Sequence, residues 1–182
     1  MDETISRYVV NLRSSDKDTQ NNAYYSLMAA SEQPVDWAYE VWDSLVADLK
    51  HKDNHLRAIA AQLLANLAAY SDPEKRIMND FEAILNCTRD ERFVTARHTL
   101  QSIWKTGIAG QEQRQLVVEG LARRFADCAA EKNCTLIRYD IAQGLRNLYN
   151  VTQDEAIREH ALGLIETEPD LKYRKKYAAV WK

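Results

Sequence analysis

Apolar residues recur along almost the whole chain at helical spacing. Ile77, Phe81, Ile84 and Leu85 fall at i, i+4, i+7 and i+8, as do Ile157, Ala161, Leu164 and Ile165, and Val117, Leu121 and Phe125 keep the same rhythm. Each segment therefore carries one apolar stripe, which predicts an amphipathic helix buried along one face. Between the stripes lie stop and start signals: Gln33-Pro34, Asp53-Asn54, Ser71-Asp72-Pro73, Gly110, Asn133 and Glu168-Pro169-Asp170. Such punctuation cuts the chain into ten helices, over 2–14, 16–31, 35–51, 54–70, 73–88, 91–108, 111–129, 135–150, 153–166 and 169–181. Short connections make successive helices antiparallel.

The even-numbered helices repeat one another. Aligned on Asn22, Arg57, Arg97, Arg138 and Arg174, at intervals of 35, 40, 41 and 36 residues, every copy is apolar three places on: Tyr25, Ala60, Leu100, Ile141 and Tyr177. The next column is mostly small (Ser26, Ala61, Gln101, Ala142, Ala178), and those at plus six and plus seven are mainly apolar, with Leu63, Ile103 and Val180 in one and Leu64, Trp104 and Leu145 in the other. A lone pair of such helices cannot cover its apolar face, so repetition at this period predicts pairs stacked into one continuous core. The expected architecture is all-α, a right-handed α-α superhelix of about five helical hairpins in a single domain spanning 1–182. Its approximate repeats are 1–33, 34–71, 72–109, 110–151 and 152–182.

The second helices, clearest in DNHLRAIAAQLLANLA and weaker in ERFVTARHTLQSIW and LIRYDIAQGLRNL, resemble the second helix of HEAT repeats in the armadillo/HEAT superfamily: an acid, then Arg, then a small-apolar run. The first copy departs from that pattern, with Asn22 where the others have Arg. The resemblance extends over essentially the whole chain and implies a helical solenoid. It implies little about activity, because packing residues define the family and its members scaffold unrelated partners.

Composition agrees with long helices and narrows the function classes. Five Gly and three Pro in 182 residues disfavour the many turns of an all-β fold. A net charge of −3 argues against a dedicated nucleic-acid binder, which needs a strongly basic face. The opening Met1-Asp2-Glu3-Thr4-Ile5 lacks the basic and apolar regions of a signal peptide, and no apolar run approaches ~18 residues, so the expectation is a cytoplasmic protein without a membrane segment. Cys87, Cys128 and Cys134 lack zinc-ribbon or CxxC spacing and read as reduced, buried thiols.

No GxGxxG, P-loop, GxSxG or HExxH pattern occurs, so neither a catalytic residue nor a cofactor is assigned. His51 and His55 stand four apart, but Asp53-Asn54 between them reads as a helix junction, and no metal site is assigned. The enzymatic alternative is a HEAT-like DNA glycosylase, for which Trp104, Arg138, Asp140 and Arg146 supply the residue types. Against it, Trp104 falls in a core column, and residues 1–52 carry five basic and nine acidic side chains, which would repel phosphate.

In HEAT-like solenoids the second helices line the concave surface. On a 100° wheel, the positions opposite the buried columns are minus two, plus one, plus five and plus eight. They run from small and neutral (Gln20, Ala23, Leu27, Ala30, then His55, Ala58, Gln62, Ala65), through Thr95, His98, Ser102 and Lys105, to Leu136, Tyr139, Gln143 and Arg146, then Lys172, Lys175, Ala179 and Lys182. This gradient predicts a non-enzymatic scaffold or adaptor holding a protein or peptide with an acidic segment, through His98, Lys105, Tyr139, Gln143, Arg146, Lys172 and Lys175. Trp37 and Trp42, five apart, cannot both lie centrally on one buried stripe, so the expectation is either that one of them edges the surface as a contact anchor or that both are partly buried.

Overall fold

The computed structural model describes all residues from 1 to 182 and consists of ten α-helices: α1 (Glu3–Asn11), α2 (Lys17–Ala30), α3 (Ala38–Asp48), α4 (Asn54–Tyr70), α5 (Ile77–Cys87), α6 (Phe93–Leu100), α7 (Gln111–Asp127), α8 (Cys134–Thr152), α9 (Glu155–Glu166) and α10 (Leu171–Ala179). They pair in chain order into five hairpins. The substantial packing runs within a hairpin or between adjoining hairpins, with α2, α4, α6, α8 and α10 forming one row of second helices. This is the all-α solenoid that the HEAT-like pattern implies. Its core is one continuous cluster from Leu12 to Trp181.

The stripes account for the burial. Ile77, Phe81, Ile84, Leu85, Val117, Leu121, Phe125, Ile157, Ala161 and Ile165 are all buried, with Leu164 partly so. Aspartates fix several helix starts: Asp16 accepts the Thr19 N–H, Asp53 that of His55, Asp154 that of Ala156 and Asp170 that of Lys172. Each satisfies a donor that the first turn leaves free. At the other end of α8, Gln153 adopts a left-handed conformation (φ 52°) and stops the helix.

Three local expectations are corrected. Helix six does not run unbroken to 108: α6 ends at Leu100 and a 3₁₀ turn, Ile103–Gly107, follows. Ser102 Oγ bonds the carbonyls of His98 and Thr99, and Thr106 Oγ1 bonds that of Ile103, so hydroxyls compete for the helical acceptors. Trp37 and Trp42 are both buried, because Trp37 precedes the first turn of α3 and is not bound to its wheel. Of the three thiols, Cys87 and Cys128 are buried, but Cys134, at the start of α8, is half-buried.

The repeat register holds in four copies and fails in the first. Ala60, Leu100, Ile141 and Tyr177 are buried, as are Leu64, Leu145 and Trp181, with Trp104, in the 3₁₀ turn, only partly so, but Tyr25 is 68% exposed and Asn22 is exposed too. In α2 the buried residues are Gln20, Ala23 and Leu27, so Gln20 is the counterpart of Arg57. The capping aspartates give the same answer: Asp16 lies four before Gln20, as Asp53 does before Arg57 and Asp170 before Arg174.

Candidate partner-binding face

The anchor residues of the second helices tie the stack together before any surface is formed. Arg57 closes its own hairpin by donating from Nη1 to the His51 carbonyl at 2.8 Å, and reaches the next hairpin through Asp90. Arg138 does the equivalent with Glu168, at 2.7 Å from Nη1 to Oε2. Arg97 instead forks onto Asp140 of α8, Nε to Oδ2 at 2.8 Å and Nη2 to Oδ1 at 3.0 Å. The carboxylate that would match Asp90 in the fourth hairpin, Glu131, is already held by the buried Arg124 at 2.6 and 2.8 Å. With Arg13 and Asp48 joining the first two hairpins, each junction carries at least one Arg–carboxylate pair, and Arg76–Asp43, Arg89–Asp127, Arg123–Glu82 and Arg114–Asp154 add further ones.

These pairs consume the residues of the glycosylase reading. Asp140 is buried and accepts both bonds from Arg97, Arg138 is spent on Glu168, and the Trp104 indole N–H donates to the Gln101 carbonyl. They are not brought together around an open site.

Much of the expected small, neutral end is interior. Gln20, Ala23, Leu27, Ala58, Ala65, Thr95 and Ser102 are buried. Each inner second helix packs against the second helices on both sides, so its covered arc is wider than one stripe. What remains open is a pair of hollows. One, of about 260 Å³, lies between α2, α4 and α6 and is lined by Tyr24, Tyr25, His55, Ile59, Val94 and His98 among others. The other, of about 220 Å³, lies between α6 and α8 and takes Gln101, Tyr139, Gln143 and Asn147 together with the Arg97–Asp140 pair.

The sequence-derived residues thus separate into three sets. His98 is exposed in the first hollow, and Tyr139 and Gln143 line the second. Lys172 and Lys175 are exposed on α10, and neither has a carboxylate partner; Lys176 and Lys182, on the same segment, also have none. Arg146 lies over the rings of Trp181 and Tyr149, at 5.4 and 5.6 Å from their centroids, and Lys176 lies 5.2 Å from that of Tyr139. Lys105 stands apart. Its Nζ donates to Asn66 Oδ1 at 2.8 Å, and the Asn66 amide in turn reaches the Met28 carbonyl and Ser31 Oγ, joining three hairpins. Burial holds the Lys105 ammonium below the usual lysine range, against a smaller opposing pull from Glu32.

Sequence reasoning missed a larger hollow on the opposite side. About 490 Å³ opens between α7 and α9 over Val118, Ala122, Leu145, Gly163 and Leu164, with Glu159 and His160 at its edge. The available signal was Gly163, a glycine inside a helix; a Cβ there would meet nothing within 4 Å.

No protein-family model matches this sequence, and no curated protein matches it. Among solved structures, the chain is similar to a designed armadillo repeat protein, YIII(Dq)4CqI, at 16% identity and a TM-score of 0.48, over 97% of this chain and 98% of that one. No helix is long and apolar enough to cross a membrane.

Proposed function

We propose that the protein is a non-enzymatic scaffold whose second-helix face holds a protein segment, with an acidic stretch of that segment lying over α10. The observation that carries this reading is a contrast in pairing. The arginines at the hairpin junctions are neutralised by carboxylates, whereas Lys172, Lys175 and Lys176 on α10 and Lys182 just beyond it are not. Unpaired cations on a surface steer an oppositely charged partner and raise its association rate. Tyr139 and Gln143 beside the second hollow, and His98 in the first, supply amphipathic and hydrogen-bonding contacts along the same row. Lys105 is left out of the contact set, since its ammonium is already bonded to Asn66.

The test begins with affinity purification of a partner and measurement of its association with the intact chain and with Lys172→Glu/Lys175→Glu. The double variant should bind with a slower on-rate and a flatter salt dependence. An unchanged on-rate removes the steering role. Tight, salt-sensitive binding of duplex DNA in a low-salt gel shift would replace the scaffold reading altogether.

A further inference from the structure

Cys128 and Cys134 flank the connection between α7 and α8. Cys128 opens the 3₁₀ turn Cys128–Ala130 that follows α7 and is fully buried, while Cys134 is the first residue of α8 and is partly open to solvent. Their Sγ atoms lie 2.8 Å apart. Non-bonded carbon atoms, which are smaller than sulfur, already touch at roughly 3.5–4.0 Å, so the two thiols sit inside ordinary contact distance. Two short contacts hold Cys128 in place, to the Phe125 carbonyl at 3.3 Å and to the Cys134 carbonyl at 3.8 Å. The surroundings are rigid: Arg124 is clamped by Glu131 and Thr88, and Arg138 by Glu168 and the Phe125 carbonyl.

We propose that Cys128 and Cys134 are a redox modification site, closing into an intramolecular disulfide by exchange with a small-molecule disulfide of the glutathione type. Cys134, the thiol partly open to solvent, is the entry point. Its thiolate attacks one sulfur of glutathione disulfide, forming a mixed disulfide on Cys134 and releasing one glutathione thiolate. Cys128 then attacks the Cys134 sulfur, the mixed disulfide breaks, and the second glutathione leaves carrying the Cys128 proton. Two protein thiols are oxidised and one glutathione disulfide is reduced to two glutathiones. Burial, reinforced by the bond to Cys134, pushes the Cys128 thiol up to about 12, so it stays protonated and does not initiate exchange; its 2.8 Å approach to the Cys134 sulfur is what suits it to resolve the mixed disulfide. Cys87 takes no part. It is buried at the end of α5 with its thiol directed to the Leu49 carbonyl at 3.5 Å, and burial pushes it up to about 11.

The product is a cross-link at the turn of the fourth hairpin, beside the Arg138–Glu168 pair that joins the fifth. It would fix the end of α7 to the start of α8 without altering the second-helix face.

The experiment equilibrates the intact, folded chain with excess glutathione disulfide, blocks remaining thiols with an alkylating reagent, and maps the peptides by mass spectrometry. The expected result is a Cys128–Cys134 disulfide with Cys87 alkylated and the helical circular dichroism unchanged. Cys128→Ser should stop at a glutathione adduct on Cys134, and Cys134→Ser should leave Cys128 reduced. Should the buried substitution at Cys128 prevent folding, Cys134→Ser alone still decides the order of attack. Full alkylation of both cysteines in the folded wild-type chain, a disulfide involving Cys87, or pairing that appears only with loss of helical signal would each overturn the proposal.

Discussion

The guanidinium of Arg57 grips the carboxylate of Asp90 through two parallel hydrogen bonds, Nε to Oδ2 at 2.6 Å and Nη2 to Oδ1 at 2.8 Å, across the boundary between the second and third hairpins. Both side chains are largely covered, at 12% and 6% exposure. Asp90 also accepts the Arg92 backbone N–H, so one carboxylate closes its own turn and anchors the preceding repeat. A planar fork meeting a carboxylate edge-on gives direction as well as attraction, which fixes the angle between hairpins.

Asp90→Asn should therefore destabilise the fold by about 3 kcal/mol at neutral pH, since it leaves the largely covered Arg57 with only the exposed Glu91, 4.0 Å away, as counter-charge. Burial alone would raise the Asp90 carboxyl, but hydrogen bonds from Arg57 and Arg92 and their charges outweigh it and hold the group below the usual carboxylate range. A depressed acid contributes stability that is present above its unfolded pKa of about 3.9 and is lost as pH falls through the folded value. Urea unfolding at a series of pH values should show the wild-type and Asp90→Asn curves converging below about pH 4. A gap that stays constant under acid would mean the pair adds no charge-dependent stability.

The register of α2 is tested by two truncations two residues apart. Tyr25→Ala should change stability by no more than about 0.5 kcal/mol, because the ring is 68% exposed. Leu27→Ala removes a buried side chain and should cost roughly 2–5 kcal/mol. The opposite ranking in thermal melts would restore Asn22 as the anchor.

Leu64 and Leu145 occupy the same column in the second and fourth hairpins and are both fully buried. Alanine at either should cost roughly 2–5 kcal/mol. In an open stack, each lesion is felt mainly by its own and adjoining hairpins. Hydrogen exchange should accordingly rise around α4 in the first variant and around α8 in the second; a uniform rise over the whole chain in both would contradict nearest-neighbour packing.

Two helical glycines should respond oppositely to alanine. At Gly120 of α7 a Cβ would lie 2.6 Å from Phe81 Cε1 and 3.1 Å from its Cζ, so the close approach of α7 to α5 must give way, at a cost of about 1–3 kcal/mol. At Gly163 nothing lies within 4 Å, and the gain in helix propensity should stabilise by about 0.5–1 kcal/mol. Calorimetric melting temperatures check both signs.

Helix identity was legible because its signals are local. Ile77 to Leu85 and Ile157 to Ile165 show their period within three turns, and Asp53, Asp154 and Asp170 mark the starts they cap. The first repeat was misread because Tyr25 looks like a core residue and Gln20 does not, yet Gln20 is buried with its amide donating to the Leu12 carbonyl at 2.8 Å. The spacing of Asp16 before Gln20, matching that of Asp53 before Arg57, was the better guide. The candidate face was only partly legible, since Ala58, Ala65 and Thr95 lie on the side of their helices away from the main stripe and are still buried by the adjoining helices, while Ser102 falls in the break after α6.

Taken alone, the chain determined that it forms ten amphipathic helices joined by short turns, and therefore hairpins that must stack to cover their apolar sides. Only the tertiary structure decided which polar groups meet. Arg97 pairs with Asp140 rather than Glu131 because Arg124, from another helix, reaches Glu131 first, and Lys105 turns inward to Asn66 rather than outward to solvent. Competition among distant side chains for one acceptor depends on where the backbone delivers them, which no local pattern of residues encodes.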